Sequence, residues 1–273
     1  MQTKEHVKES ERLNASVLLS LSIMDHLEGA LSSSLTELSE ALGIHKSRVM
    51  RLCGTLEQMG YVIRRHEDGR YVLGPRLLSL GKAFERQNPL MSLLRPVLEK
   101  LSRELNENVL FQVLHGNRRL CVCSICRPDL RRYVTPEGSE TSICYGASSR
   151  VFLTWGPPEL RAEVLADAPY RRYTEHTITT AEALQTEIEK TLALGYSVSR
   201  EERTYGTAAL AIPLFGQAGA LQGSLSIASI TDRFNDALIE RALPLMREAA
   251  RYLQAMTAGT AKFTPRMPRR DDQ

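Results

Sequence analysis

The alternation of hydrophobic and polar positions between residues 34 and 60 predicts two short helices joined by a tight turn. Ser34 and Glu37 have the spacing of a capping box, and leucines recur at helical spacing from there to Gly43. A second apolar stripe, on a helix that starts near Lys46 and stops at Gly60, comprises Val49, Leu52, Cys53, Leu56 and Met59. Because glycine readily takes the left-handed conformation that ends a helix, the pattern indicates a helix-turn-helix.

Two strand-like runs, at 61–63 and 71–73, flank a turn at 66–69 with Asp-Gly chemistry. A hairpin directly after the second helix predicts a wing. An amphipathic helix over 15–27 precedes the motif, and we expect it either to pack against the helix-turn-helix or to form a dimer surface. Its apolar stripe comprises Val17, Leu18, Leu21, Met24 and Leu27.

Pro75 favours a further helix at 76–86, a linker whose apolar side comprises Leu77, Leu80 and Phe84 and which also offers a dimer surface. Beyond Asn88 the pattern gives a helix, three strands, helices, three strands and a helix. That order predicts an α+β domain with a mainly antiparallel sheet. The predicted strands lie at 109–114, 120–125, 131–135, 196–199, 208–215 and 221–229. We therefore predict a DNA-binding domain at 12–74, a linker helix at 75–88, a second domain at 89–258 and a disordered tail at 259–273.

The net charge of +3 over 273 residues does not by itself indicate a nucleic-acid partner. Between residues 44 and 76, however, there are seven basic residues and only three acidic ones, whereas the preceding segment is acidic. This asymmetry suits a surface turned toward phosphates. The residues expected to contact DNA are His45, Lys46, Ser47, Arg48 and Arg51 on the second helix, and Arg64, Arg65 and Arg70 on the hairpin.

The five cysteines are an odd number, which argues against a disulfide framework in an intracellular chain. Cys121, Cys123 and Cys126 invite a metal interpretation, but a strand would place the first two on one face and the third on the other. Strand packing is therefore favoured, and we expect no metal or cofactor. No apolar run is long enough for a membrane span and no signal-peptide core is present, so we expect a cytoplasmic protein.

Over about residues 14–257 the chain resembles the IclR family of bacterial transcriptional regulators. The resemblance is carried by Leu-Thr-Glu-Leu-Ser-Glu-Ala-Leu-Gly at 35–43, Asp-Gly-Arg-Tyr-Val-Leu-Gly-Pro-Arg-Leu at 68–77 and Gly-Tyr-Ser-Val at 195–198, with further matches at 46–47, 56–62, 201–202, 206–214 and 223–227. It implies a winged helix-turn-helix, a linker helix and a GAF-like effector domain, assembled as dimers or dimers of dimers. It also implies a small organic molecule, often a carboxylic acid, that alters operator binding.

By matched position, the resemblance implies an effector pocket lined by Ala147, Ser148, Ser199, Thr207, Ala209, Ser226 and Ala228. None of these is charged, so backbone amides at the start of a helix over 148–155 are expected to hold a carboxylate, with Arg150 an exception if it turns inward. The chain departs from the family pattern where Ser149 and Arg150 replace the usual Gly and Lys, and where Ser142 replaces Pro.

The leading hypothesis is a ligand-responsive regulator of a catabolic operon, most simply a repressor that binds a palindromic operator and is not an enzyme. Two alternatives remain open. One is an enzyme with Cys144 or Cys121 as nucleophile and His115 or His176 as base, although the chain has no nucleophile motif. The other is a non-specific DNA-binding protein, which would not require a second domain with a pocket.

Overall fold

A computed structural model describes residues 13–128, 135–216 and 219–257, and the chain divides between Gln87 and Asn88 into two compact units. The first unit contains helices α1 (Ala15–Gly29), α2 (Leu35–Leu42) and α3 (Lys46–Gln58). Strands β1 (Val62–Arg64) and β2 (Tyr71–Leu73) then pair antiparallel, and helix α4 (Arg76–Gln87) follows. The predicted helix-turn-helix and its wing are confirmed. No helix among the described residues is both long and apolar enough to cross a membrane.

The start of α2 and the turn that follows it form for the reasons that the sequence indicates. The Ser34 hydroxyl accepts a hydrogen bond from the Glu37 backbone N–H, and the Glu37 carboxylate accepts one from the Ser34 N–H, which completes the capping box. Gly43 ends α2 with a φ of 63°, in the left-handed region. Helices α2 and α3, together with α1 and the wing, bury one shared core, which comprises Ile23, Leu27, Leu38, Val49, Cys53, Leu56, Val62 and Tyr71.

The structure corrects one prediction of burial in this unit and shows how much of two further apolar stripes stays exposed. Met59 is 62% exposed, because α3 ends at Gln58 and the chain turns away from the core at Gly60. Helix α1 buries Ile23 and Leu27 and leaves much of its predicted stripe exposed, because only one edge of the helix faces α3 and the wing. Helix α4 has no buried residue, so its apolar side is also open within this unit.

The second unit begins with helix α5 (Pro89–Leu105) and strands β3 (Asn108–His115), β4 (Arg118–Ile125) and β5 (Glu140–Ser142). Helices α6 (Ala147–Trp155), α7 (Pro158–Ala166) and α8 (Ala181–Leu194) follow. Strands β6 (Ser197–Arg200), β7 (Thr207–Phe215) and β8 (Leu221–Ile230) and helix α9 (Asp236–Met256) complete it. The strands form one antiparallel sheet in the order β5-β4-β3-β8-β7-β6, which confirms the predicted α+β class.

Two layers of helices cover this sheet. Leucines of α5, with Met246 and Leu253 of α9, pack on the face that presents Phe111 and Leu225. On the opposite face, Ala147 and Val151 of α6 pack on Ala211 of β7, and α7 and α8 extend that layer. Strand β5 was not predicted. The strand that was predicted at 131–135 and the tail after residue 258 lie almost wholly outside the described residues.

The junction of wing and helix requires a glycine at position 74. A Cβ on Gly74 would lie 2.3 Å from the Gly60 carbonyl oxygen, so alanine would force the two segments apart. We expect Gly74→Ala to cost about 1–3 kcal/mol in local stability, as overpacking does. Hydrogen–deuterium exchange of α3 and the wing, read separately from the second unit, measures this cost.

Gly54→Ala is the matched control. It lies within α3, and a Cβ there has no neighbouring heavy atom within 4 Å among the described residues. Alanine at this position should slow exchange, because it stabilises a helix interior by roughly 0.5–1 kcal/mol relative to glycine. Equal protection of α3 in both variants would contradict the steric argument.

Candidate functional site

The first candidate site is the basic start of α3. Lys46, Ser47 and Arg51 are exposed and Arg48 is half-buried, whereas Val49 on the opposite side is fully buried. Among the described residues, no hydrogen bond or ion pair engages the side chains of Lys46, Arg48 or Arg51. His45, the N-cap residue, is exposed and makes no capping hydrogen bond. The second helix of the motif therefore presents a positive surface that no described residue neutralises.

The wing carries two arginines whose side chains have local partners. Arg64 donates from Nε to the Gly69 carbonyl at 3.3 Å, and its guanidinium lies 5.9 Å from the centre of the Tyr71 ring. Arg65 pairs with Asp68, and a hydrogen bond from the Arg70 backbone N–H, with Arg65 nearby, lowers the pKa of Asp68. Both arginines remain at the surface, where such contacts are weak enough for phosphate to compete.

The sequence suggested that Arg70 is a cation of the wing that is free to contact DNA, but its side chain has an ion-pair partner. Its guanidinium lies 2.6 Å from the Glu37 carboxylate and donates to the Ser32 carbonyl at 2.9 Å. The hydrogen bond from the Ser34 backbone N–H, followed by the one from the Arg70 side chain, holds the pKa of Glu37 below its usual value. Arg70 thus fastens the wing to the start of α2, and a role toward DNA stays a prediction.

The second candidate site is a cavity of about 340 Å³ in the second unit. It lies between the start of α6, one face of the sheet and the loop that joins β6 to β7. All seven positions that the resemblance selected line it: Ala147, Ser148, Ser199, Thr207, Ala209, Ser226 and Ala228. Residues from four separate elements therefore meet around one space of the size that small molecules occupy.

Register explains this convergence. Ala209 on β7 lies opposite Ser199 on β6 and opposite Ala228 on β8. Since side chains alternate between the two faces of a strand, these positions share the face that α6 covers. Gly146, with a φ of 84°, directs the chain into α6 directly above them.

A buried ion pair closes one wall of the cavity. Arg150 is 1% exposed and donates to Glu202 Oε1 and to Ser197 Oγ, each at 2.8 Å, and also to the Val198 carbonyl. The other Glu202 oxygen accepts the Gly146 backbone N–H at 2.8 Å. Arg150 therefore turns inward but does not line the cavity, and a carboxylate of the protein already occupies an amide at the start of α6.

The seven matched positions carry no charge, but they are not the whole lining. Charged side chains also line the cavity, namely Arg119, Glu201, Glu202 and Arg203, and Gln112 and Tyr145 contribute further polar atoms. A signal for Arg119 was present in the sequence, because strand alternation places it in phase with Cys121 on β4. The prediction that Cys121 and Cys123 share a face is wrong, because the register of the strand shifts between them. Cys121 lies opposite Gln112, whereas Cys123 lies opposite Phe111 and packs in the core on the other face of the sheet. The charges on the loop between β6 and β7 had no comparable local signal.

Cys121 and Cys123 lack the environment of a nucleophile. Cys121 and Cys123 are buried, and burial, followed by the charge of Glu137, raises the pKa of each thiol to about 12. Such thiols are not ionised at neutral pH. His115 pairs with Glu140 and His176 with Glu201. Within 13–128, 135–216 and 219–257, no group of three or more His, Cys, Asp or Glu side chains has the arrangement of a metal site.

Known protein families match two separate parts of the chain. Residues 16–66 match the IclR helix-turn-helix domain, and residues 83–255 match the C-terminal domain of the bacterial transcriptional regulator IclR. The regulator KdgR of Escherichia coli strain K12 is 27% identical over 241 residues, which span 88% of this chain and 92% of KdgR.

Two further transcriptional regulators are similar to this chain. The acetate operon repressor of Salmonella typhimurium is 24% identical over 231 residues, with 84% of each chain covered. The crystal structure of an IclR transcriptional regulator from Alicyclobacillus acidocaldarius superposes with a TM-score of 0.82 at 26% identity, covering 90% of this chain and 100% of that one. These families and relatives are transcriptional regulators and not enzymes. With a DNA-binding helix-turn-helix domain and an effector-binding C-terminal domain, the chain belongs to the IclR family of transcriptional regulators.

Proposed function

We propose that this regulator represses a catabolic operon from a palindromic operator in the cytoplasm, and that a small organic acid in the C-terminal cavity modulates this binding. The observation that carries the proposal is the unneutralised positive start of α3, on a motif whose family binds DNA. An acetate operon repressor among the relatives supports the repressor role. A nuclease footprint confined to one palindromic promoter site tests it, whereas uniform protection along the DNA would favour non-specific binding.

Recognition helices read bases from their N-terminal residues, which here are Lys46, Ser47 and Arg48. With Arg51, they would enter the major groove, while Arg64 and Arg65 on the wing would contact phosphates or the minor groove. Arg48 suits base readout because Val49 beside it is anchored in the core, which limits how far the backbone can move. Phosphate contacts from the wing would add affinity without sequence preference.

We expect Arg48→Ala to weaken operator binding by about 1–3 kcal/mol and to relax preference at one base pair, if the guanidinium pairs with a guanine. Fluorescence anisotropy with the operator and with single-base variants measures both effects. Arg65→Ala should instead weaken all sequences alike. Arg251→Ala on α9 removes the same charge from the other unit and should leave affinity unchanged. Unchanged operator affinity in a folded Arg48→Ala protein would exclude this docking.

A palindromic site requires two copies of the motif, and we propose that α1 and α4 provide the contact between them. Val17, Leu18 and Leu21 on α1 are 55%, 44% and 47% exposed, and Leu78 on α4 is 68% exposed. Apolar faces left open on helices are typical of protein–protein contacts. A second copy of the chain would cover them.

We expect Leu21→Asp to shift the protein from dimer to monomer at micromolar concentration, because the contact would bury an unpaired charge. Sedimentation velocity measures the shift. Ser16→Asp, which places the same charge on an exposed position of α1, should leave the dimer intact. A wild-type protein that remains monomeric with and without DNA would contradict the proposed assembly.

The hydroxyls that line the cavity suit a small neutral or acidic ligand. Ser148, Ser199, Thr207 and Ser226 come from separate elements, and a hydroxyl both donates and accepts hydrogen bonds. Ser148 is 5% exposed and lies in the first turn of α6, where the helix dipole favours an anion. This residue would therefore contact the effector directly.

We expect Ser148→Leu to abolish the effector response while operator binding without effector stays intact, because leucine would fill part of the cavity. Titration of the operator complex with a panel of small organic acids measures the response. Ser92→Leu, at an exposed position of α5, is the control and should respond as wild type does. A full response in Ser148→Leu would place the effector elsewhere.

A further inference from the structure

Arg119 is a buried cation in the wall of the effector cavity. It is 8% exposed; its Nε donates to the Ser142 carbonyl at 3.0 Å and its Nη1 to Gln112 Oε1 at 3.3 Å. Burial, followed by the charge of Arg203, lowers the pKa of Arg119 to about 10, so the guanidinium stays protonated at neutral pH. Across the described residues, no carboxylate lies within ion-pair distance of it, and Nη2 has no hydrogen-bond partner.

The acidic residues of the cavity wall are committed to other partners. Glu202 pairs with Arg150 and accepts the Gly146 N–H. Glu201 accepts the Gly206 N–H at 2.7 Å and lies 3.3 Å from His176. Arg203, which is exposed, adds a second positive charge to the cavity lining. The charge of Glu202 acts on Arg119 without forming an ion pair with it, so among the described residues the space holds a positive charge that no carboxylate pairs.

A buried charge without a counterion is costly, and a ligand that supplies the counterion recovers this cost on binding. Guanidinium groups pair well with carboxylates, because their parallel N–H donors match the two carboxylate oxygens. The rest of the cavity lining includes Leu110, Ala209 and Ala228, which suit an apolar ligand body. A small carboxylate with an apolar or ring-shaped body matches both features.

We propose that Arg119 is the counterion for the carboxylate of the effector. Because of this charge, the cavity binds acids more tightly than their neutral analogues. The inference rests on the proposed effector function and deepens it. It assigns the acid group to a side chain of β4, because the Gly146 amide at the start of α6 is already occupied by Glu202. The serine hydroxyls would then orient the rest of the ligand.

Matched pairs of acid and amide test the charge requirement. The probes are acetate and acetamide, benzoate and benzamide, and phenylacetate and phenylacetamide, measured by thermal shift and calorimetry on the full chain. We expect at least one acid to raise the Tm of the wild type while its amide does not. Arg119→Gln, which keeps a donor for the Ser142 carbonyl, should raise the Kd of that acid roughly 10- to 100-fold.

Arg119→Lys is the second variant and keeps the protein testable if glutamine impairs folding. Lysine retains the charge but not the paired donors, so its acid Kd should lie between those of the wild type and Arg119→Gln. The control is Arg118→Gln, on the opposite face of the same strand, where Arg118 lies 3.2 Å from Glu140. It should bind the acid as the wild type does.

Three results would overturn the inference: no acid in the panel stabilises the wild type, acid and amide bind equally, or Arg119→Gln binds the acid with unchanged Kd. Operator binding without ligand is measured in parallel and should be equal in the wild type and Arg119→Gln. If the protein binds the operator and responds equally to an acid and its amide, only the proposed role of Arg119 is wrong. If no operator is bound, the proposed regulatory function fails independently of Arg119.

Discussion

The second unit depends on one buried ion pair, between Arg150 on α6 and Glu202 on the loop after β6. A buried pair is stable only when its remaining donors and acceptors are also satisfied. Here Ser197 Oγ and the Val198 carbonyl accept from the arginine, and the Gly146 N–H donates to the glutamate. The pair therefore fixes the start of α6, strand β6 and the loop together, and these are three walls of the cavity.

The same contact decides which chemistry the cavity offers. The start of a helix normally favours an anion, because its backbone N–H groups lack partners within the helix. Glu202 satisfies the first of these amides and also neutralises Arg150, so both the amide and the arginine are withdrawn from a ligand. The cavity lining still includes Arg119, Arg203 and a set of hydroxyls.

The first unit uses an arginine–glutamate pair in a similar way. Arg70 on the wing and Glu37 in the capping box of α2 join two segments that lie far apart in sequence. This contact holds the wing beside the helix-turn-helix and uses one of the basic residues for structure. Within the described part of the chain the cations at the start of α3 have no ion-pair partner, so the positive surface is concentrated where the motif is proposed to contact DNA.

The sequence by itself determined the elements that local rules control. A capping box, a left-handed glycine and strand alternation act within a few residues, so Ser34, Gly43 and the paired faces of β6, β7 and β8 were predictable. The family resemblance added the seven cavity positions. Only the tertiary structure decided which apolar stripes are covered, as the exposed Leu21 shows, and which charges meet. Arg150 and Glu202 lie 52 positions apart, and a pairing over that distance depends on how strands and helices pack rather than on any local pattern.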